Sequence, residues 1–109
     1  WIRNNCIVAL DGIGLKIGFS FIGLGPVKDL NGTDLFPLFM NKFKNSGERI
    51  FLLGAGESVI NNTVRNIIDC YSGINICGFN SGYFNSVDEL KIIRKINDSN
   101  PDILIIGMG

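Results

Sequence analysis

The chain has 109 residues, enough for one modest domain with a single core. Its 46% hydrophobic and 18% charged content is that of a globular chain and excludes disorder. Lys plus Arg equals Asp plus Glu at 10 each, so the basic surplus of a dedicated nucleic-acid binder is missing; with no His, every His triad, His metal site and His general base is excluded within these residues.

The chain opens on Trp1 with no signal peptide in view. Cys6–Leu10 is apolar and β-prone, and Asp11-Gly12-Ile13-Gly14 follows. An acid at the carboxyl end of a strand sits where parallel α/β sheets place their chemistry. The same Asp could equally cap the next helix. Leu15–Leu30 mixes apolar residues with Gly18, Gly23, Gly25 and Pro26, a pattern too interrupted for a membrane span and closer to a partly buried helix and loop. Asn31-Gly32-Thr33-Asp34 reads as a turn and a helix start, with Thr33 or Asp34 as the cap and Pro37 in the first turn. Phe36, Phe39, Met40 and Phe43 form the apolar face of a helix over Thr33–Asn45, and Gly47 supplies its left-handed end.

The central stretch is Ile50–Gly56, an apolar run that stops on a glycine pair. A helix over Ser58–Tyr71 follows, with Ile60, Val64, Ile67, Ile68 and Tyr71 on one face, and then the apolar run Ile74–Cys77. Strand, glycine turn, amphipathic helix and strand make a βαβ crossover, which implies a parallel sheet covered by helices. Gly78–Phe84 reads as a loop. Ser86 opens a third helix to Asn97, with Glu89 completing a capping box and Leu90, Ile93 and Ile96 on the buried side. Ile103–Ile106 is a further buried strand, ending in Gly107-Met108-Gly109. Asp102, at its amino end, lies on the opposite rim from the chemistry and is structural. Cys6, Cys70 and Cys77 lie on apolar stretches without a Cys-x-x-Cys, as buried thiols in a reducing compartment would. The 109 residues are expected to form a single α/β domain, and both ends to lie inside a longer protein.

Four strands thus end in similar punctuation: Asp11-Gly12, Gly54-Ala55-Gly56, Gly78 and Gly107-Met108-Gly109. Glycines collected at one rim let a ligand approach backbone N–H groups, and helix N-termini there favour a phosphate. Tight turns alone also explain each glycine. A dinucleotide fits poorly. Val59 stands where the third fingerprint glycine belongs, and no acid closes the next strand, where Gly78, Phe79 and Asn80 stand. The Walker pattern is absent.

Taken in order, Asp11-Gly12-Ile13-Gly14, Asn31-Gly32-Thr33-Asp34-Leu35-Phe36, Phe51-Leu52-Leu53-Gly54, Gly82-Tyr83-Phe84, Ile96-Asn97-Asp98-Ser99, Pro101-Asp102-Ile103-Leu104 and Gly107-Met108-Gly109 resemble the WecG/TagA/CpsF glycosyltransferase family. The resemblance runs through nearly the whole chain in one register. It implies a Rossmann-like parallel sheet with helices on both faces. It also implies inverting, metal-free and cofactor-free transfer of a sugar, typically N-acetylmannosamine, from a UDP-sugar. The acceptor would be an undecaprenyl-diphosphate-linked saccharide at the inner membrane face, in teichoic acid or other cell-surface polysaccharide synthesis. Asp11 matches the family's proposed general base, a role a carboxylate can fill by taking the proton of an attacking hydroxyl. Gly54, Gly82 and Tyr83 match positions lining the nucleotide-sugar pocket. Substrate binding is extended to Gly12, Gly14, Asn31, Gly32 and Asp34 near the base, and to Gly56, Gly107 and Gly109 at the rim.

Three departures stand out. Asp29 occupies the place of an Arg that usually precedes the Gly-x-Asp motif, so one phosphate contact is missing. The Thr-x-Asn motif expected upstream of Trp1 and the Pro-x-Gln-Glu motif expected after Gly109 are absent, as is a C-terminal membrane-associating segment. This piece alone is therefore expected to be inactive and cytoplasmic, with any membrane attachment lying in the missing part. A Rossmann-type oxidoreductase and a non-catalytic nucleotide-binding module are the alternatives.

Overall fold

The computed structural model of the chain describes residues 32–108. The expected Cys6–Leu10 strand, the Asp11–Gly14 motif, the Leu15–Leu30 stretch, Asn31 and Gly109 lie outside the described residues. The chain divides into two compact units, Trp1–Phe39 and Met40–Gly109. Of the first, the structure describes the leading part of helix α1 (Gly32–Phe43); all later elements belong to the second.

Helix α1 starts earlier than its sequence implies. Thr33 and Asp34 stand inside its first turn, so neither precedes it as a cap, and Pro37 is interior to the helix and beyond the first turn. Met40 is its fully buried side chain, whereas Phe39 and Leu38 are exposed. The exit is left-handed at two places, Asn45 (φ 61°) before Gly47 (φ 89°). Asn tolerates that region better than other L-residues, because its short polar side chain can bond locally. The Asn45 N–H donates to the Gly73 carbonyl at 3.1 Å.

The second unit is a parallel sheet of strands β1 (Arg49–Gly54), β2 (Asn75–Asn80) and β3 (Ile103–Gly107), in the spatial order β2-β1-β3. Helix α2 (Glu57–Cys70) links β1 to β2, and α3 (Glu89–Asp98) links β2 to β3. The two crossovers leave in opposite directions, so right-handed connections place α2 and α3 on opposite faces. This is the α/β arrangement that the βαβ pattern implies. The central strand is buried along Ile50–Gly54. On one face, Phe51 and Leu53 bury Ile92 of α3, with Cys77, Phe84 and Ile96 partly buried around them. Ile50 and Leu52 face the other way by strand alternation. α2 buries Ile60, Val64 and Ile67.

Several expectations are corrected. Ile68 is 53% exposed, flanking the seam rather than joining it. α3 starts at Glu89, not Ser86, and no capping box forms. Instead the Asn85 side chain accepts from the Asp88 N–H at 3.2 Å. The buried stripe is accordingly Ile92 with Ile96, while Leu90 and Ile93 are exposed. Gly78 is not strand-end punctuation. It lies inside β2 opposite Phe51, just after a register shift. A Cβ there would stand 2.7 Å from Cε2 of the fully buried Phe51 ring. Cys70 is exposed rather than buried, and Cys77, half-buried, donates its S–H to the Ile50 carbonyl at 3.4 Å.

The amino rim of the sheet is fastened by side chains. Arg49 and Asp102 pair through the Arg49 N–H to Asp102 Oδ2 (2.8 Å) and the Asp102 N–H to the Arg49 carbonyl (2.9 Å). The Arg49 guanidinium donates to the Asn100 and Ser99 carbonyls at 3.1 and 2.8 Å. Asp102 is structural, as its position at this rim implies. The packing predicts a sharp contrast within α3. Ile92→Ala should cost about 2–5 kcal/mol, the usual cost of truncating a buried Ile. Leu90→Ala should change stability by no more than about 0.5 kcal/mol, as surface substitutions do. Urea unfolding of the three proteins measures both.

Candidate functional site

The carboxyl rim of the second unit is built almost without side chains. β1 ends on Gly54, whose φ of 143° and contact with the Gly107 carbonyl leave no room for a Cβ. Ala55 follows in the left-handed region at φ 59°. Its N–H donates to the Gly107 carbonyl at 2.9 Å, tying the end of β1 to β3. Its carbonyl accepts from the Gly82 N–H at 3.0 Å and from Ser81 Oγ at 3.1 Å, tying it to the segment after β2. Gly82 in turn lies so close that a Cβ would be 2.9 Å from the Gly54 Cα. Three strand ends thus meet backbone to backbone.

Gly56 opens α2 in an extended conformation and no side chain caps the helix. The first amides of a helix have no intrahelical partner. They carry partial positive charge at this rim and suit an anion. The Tyr83 ring lies beside Gly56, where a Cβ would come 3.9 Å from its Cε2, and is itself 81% exposed. Of the expected substrate-binding residues, the structure therefore brings Gly54, Gly56, Gly82, Tyr83 and Gly107 together. Gly32 and Asp34 lie in the first turn of α1, in the other unit, while Asp11, Gly12, Gly14, Asn31 and Gly109 are outside the described residues.

Beside the rim, a cleft of about 290 Å³ runs from Glu57, Ile60 and Asn61 of α2, past Phe79, Asn80 and Ser81, to Lys95 of α3. Lys95 Nζ donates to the Phe79 carbonyl at 2.9 Å and to Asn80 Oδ1 at 3.0 Å. Asn80 Nδ2 donates to the Ser81 carbonyl at 2.9 Å. The Asn80 carboxamide is therefore held at both ends. Ser81 Oγ also accepts from the Tyr83 N–H at 3.2 Å, which shapes the turn. The sequence reading missed Ser81 and Lys95. Asn80-Ser81-Gly82 carries turn chemistry that could have marked Ser81. Nothing local marks Lys95, whose role depends on where β2 ends. No cluster of metal-ligating side chains occurs among the described residues.

A parallel sheet that delivers glycines to one rim, beside a helix start with free amides, is the layout of α/β domains that hold nucleotide-like anions. The chain belongs to the glycosyl transferase WecG/TagA/CpsF family, which it matches over residues 1–109. It is 31% identical over 99 residues to an N-acetylglucosaminyldiphosphoundecaprenol N-acetyl-beta-D-mannosaminyltransferase of Bacillus spizizenii, covering 91% of this chain and 38% of that protein. It is 29% identical over 104 residues to a UDP-Gal:alpha-D-GlcNAc-diphosphoundecaprenol beta-1,4-galactosyltransferase of Shigella boydii, covering 94% of this chain and 44% of that one. The chain thus spans less than half the length of these curated relatives. Both relatives are glycosyltransferases whose names carry a diphosphoundecaprenol-linked N-acetylglucosamine, and they differ in the sugar named as transferred.

The rim geometry predicts opposite tolerances at adjacent positions. Gly54→Ala should destabilise by at least the about 1–3 kcal/mol of ordinary overpacking, because the clash is with backbone. Ala55→Gly should change stability by less than about 1 kcal/mol: relief of left-handed strain, about 1–2 kcal/mol, is offset by the greater freedom of the unfolded chain, about 0.4–1 kcal/mol. Denaturation midpoints of the two variants check this.

Proposed function

We propose that this chain carries part of the catalytic core, including the donor site, of an inverting glycosyltransferase. The enzyme transfers N-acetylmannosamine or a related sugar from a UDP-sugar to an undecaprenyl-diphosphate-linked saccharide, in bacterial cell-surface polysaccharide or teichoic acid synthesis. The single observation that carries the reading is the backbone-only rim of Gly54, Gly82 and Gly107 beside the uncapped start of α2. The glycines leave room for a diphosphate to reach the first N–H groups and the dipole of α2, in a chain whose family transfers sugars.

In this reading Asp11 is the general base. Its carboxylate takes the proton from the acceptor hydroxyl as that oxygen forms the bond to the anomeric carbon. UDP leaves with the electrons of the bond that breaks, and the configuration inverts. Gly12, Gly14, Asn31, Gly32, Asp34 and Gly109 join the rim residues in substrate binding by family resemblance. No helix among the described residues is long and apolar enough to cross a membrane. We place the enzyme in the cytoplasm, peripheral at the inner face of the membrane and attached through a segment outside these 109 residues. Because the chain spans less than half of its relatives, activity requires the full-length protein.

Calorimetry on the full-length protein should show UDP binding and no NADH binding; NADH binding without UDP binding would establish the oxidoreductase alternative instead. General-base catalysis contributes about 10²–10⁴-fold, so Asp11→Asn should lower kcat by that factor with UDP-sugar affinity nearly unchanged. Asn caps a helix nearly as well as Asp, so a purely capping role predicts near-normal turnover of this variant at saturating acceptor.

A further inference from the structure

The cleft beside the rim has a mixed lining that a diphosphate would not select. Its one carboxylate, Glu57, belongs to the first turn of α2, and its one cation, Lys95, already donates to the Phe79 carbonyl and to Asn80. An anion in the cleft would meet the Glu57 charge at close range. A neutral, hydroxyl-bearing ring meets the opposite situation. A carboxylate accepts from hydroxyls through charge-assisted hydrogen bonds. Asn61, Asn80 and Ser81 offer amides and a hydroxyl, which both donate and accept.

The position has the same meaning. In βαβ nucleotide folds the acid that grips a ribose diol closes the second strand. Here Asn80 closes β2, and the fold brings an acid to the same cleft from the start of α2. Lys95 and the Ser81 carbonyl fix the Asn80 carboxamide, so its remaining N–H and lone pair point in set directions without a further ordering cost. The Glu57 carboxylate makes no hydrogen bond among the described residues and is exposed at the cleft.

We infer that this cleft binds a ring bearing vicinal hydroxyls, with Glu57 as the acceptor and the Lys95-fixed Asn80 beside it as the specificity-determining pair. The inference rests on the donor-site reading above and names which part of the donor lies where. The shared chemistry is a diol, and its source is either the ribose or the transferred hexose of the UDP-sugar. The diphosphate stays at the glycine rim, outside the cleft.

The test is calorimetry on the full-length protein and its Glu57→Gln variant, with UDP, 2′-deoxy-UDP and UDP-N-acetylmannosamine as probes. Glu57 is exposed at a helix start, so the variant should fold, and a thermal melt confirms it. If the ribose occupies the cleft, Glu57→Gln weakens UDP about tenfold, the scale of one charge-assisted hydrogen bond. The preference for UDP over 2′-deoxy-UDP then also disappears. If the hexose occupies it, UDP binding is unchanged and the added affinity of the UDP-sugar over UDP is lost. Asn80→Leu should reproduce the same pattern of losses. Unchanged binding of all three probes by Glu57→Gln overturns the inference. So does tighter UDP binding, which would mean that the carboxylate had been repelling a diphosphate in the cleft. Absence of UDP binding by the unaltered protein is a different result: it removes the donor-site reading itself, and this inference with it.

Discussion

The backbone of one residue holds the carboxyl rim together. The Ala55 N–H reaches β3 and the Ala55 carbonyl collects two donors from the segment after β2, while the residue itself continues β1. Each such bond contributes only about 1 kcal/mol net. Their value here is geometric, because three strand ends are fixed relative to one another by the N–H and the carbonyl of a single residue. The left-handed turn at Ala55 is what aims its N–H and its carbonyl at different neighbours. Glycine at 54 and 82 is required for the same reason, since either side chain would push the strand ends apart.

The two rims are made differently, and the difference fits their uses. At the amino rim Arg49, Ser99, Asn100 and Asp102 fasten strands and turn with side-chain bonds. At the carboxyl rim the fastening is backbone, and the side chains are stripped away. A rim of short residues beside the uncapped amides of α2 is suited to a charged ligand that must approach closely. The polar side chains reappear one step outward, in the cleft between α2 and Lys95. A ligand with a charged middle and hydroxylated ends matches that sequence of surfaces.

Much of the fold was legible because its signals are local. The apolar runs have strand length, and the 60–64–67 spacing identifies the α2 seam that is buried. The glycines at 54, 56, 82 and 107 converge as the alternation of strand and helix implies. What was misread depends on context that the local pattern does not carry. Ile92, Ile93 and Ile96 offer two stripes on one helix, and contact with Phe51 and Leu53 selects the one through Ile92. Gly78 looks like a strand end because nothing in its neighbours announces the Phe51 ring it makes room for. Ser86 followed by Glu89 has the form of a capping box, but the Asn85 side chain takes the turn first. Lys95 belongs to the site only because β2 runs on to Asn80.

The register shift in β2 sets more than a local pairing. Ile50 faces Ile76, yet Phe51 faces Gly78 and Leu53 faces Asn80, so Cys77 is the extra residue of a bulge. Paired residues share a face of a sheet, which turns Asn80 toward the side of Leu53 and α3, where Lys95 meets it. The same residues paired in unbroken register would put Phe79 opposite Leu53 and turn Asn80 to the other side of the sheet, away from Lys95. The bulge is thus a chemical variable: the one residue it absorbs decides which functional group β2 displays to α3.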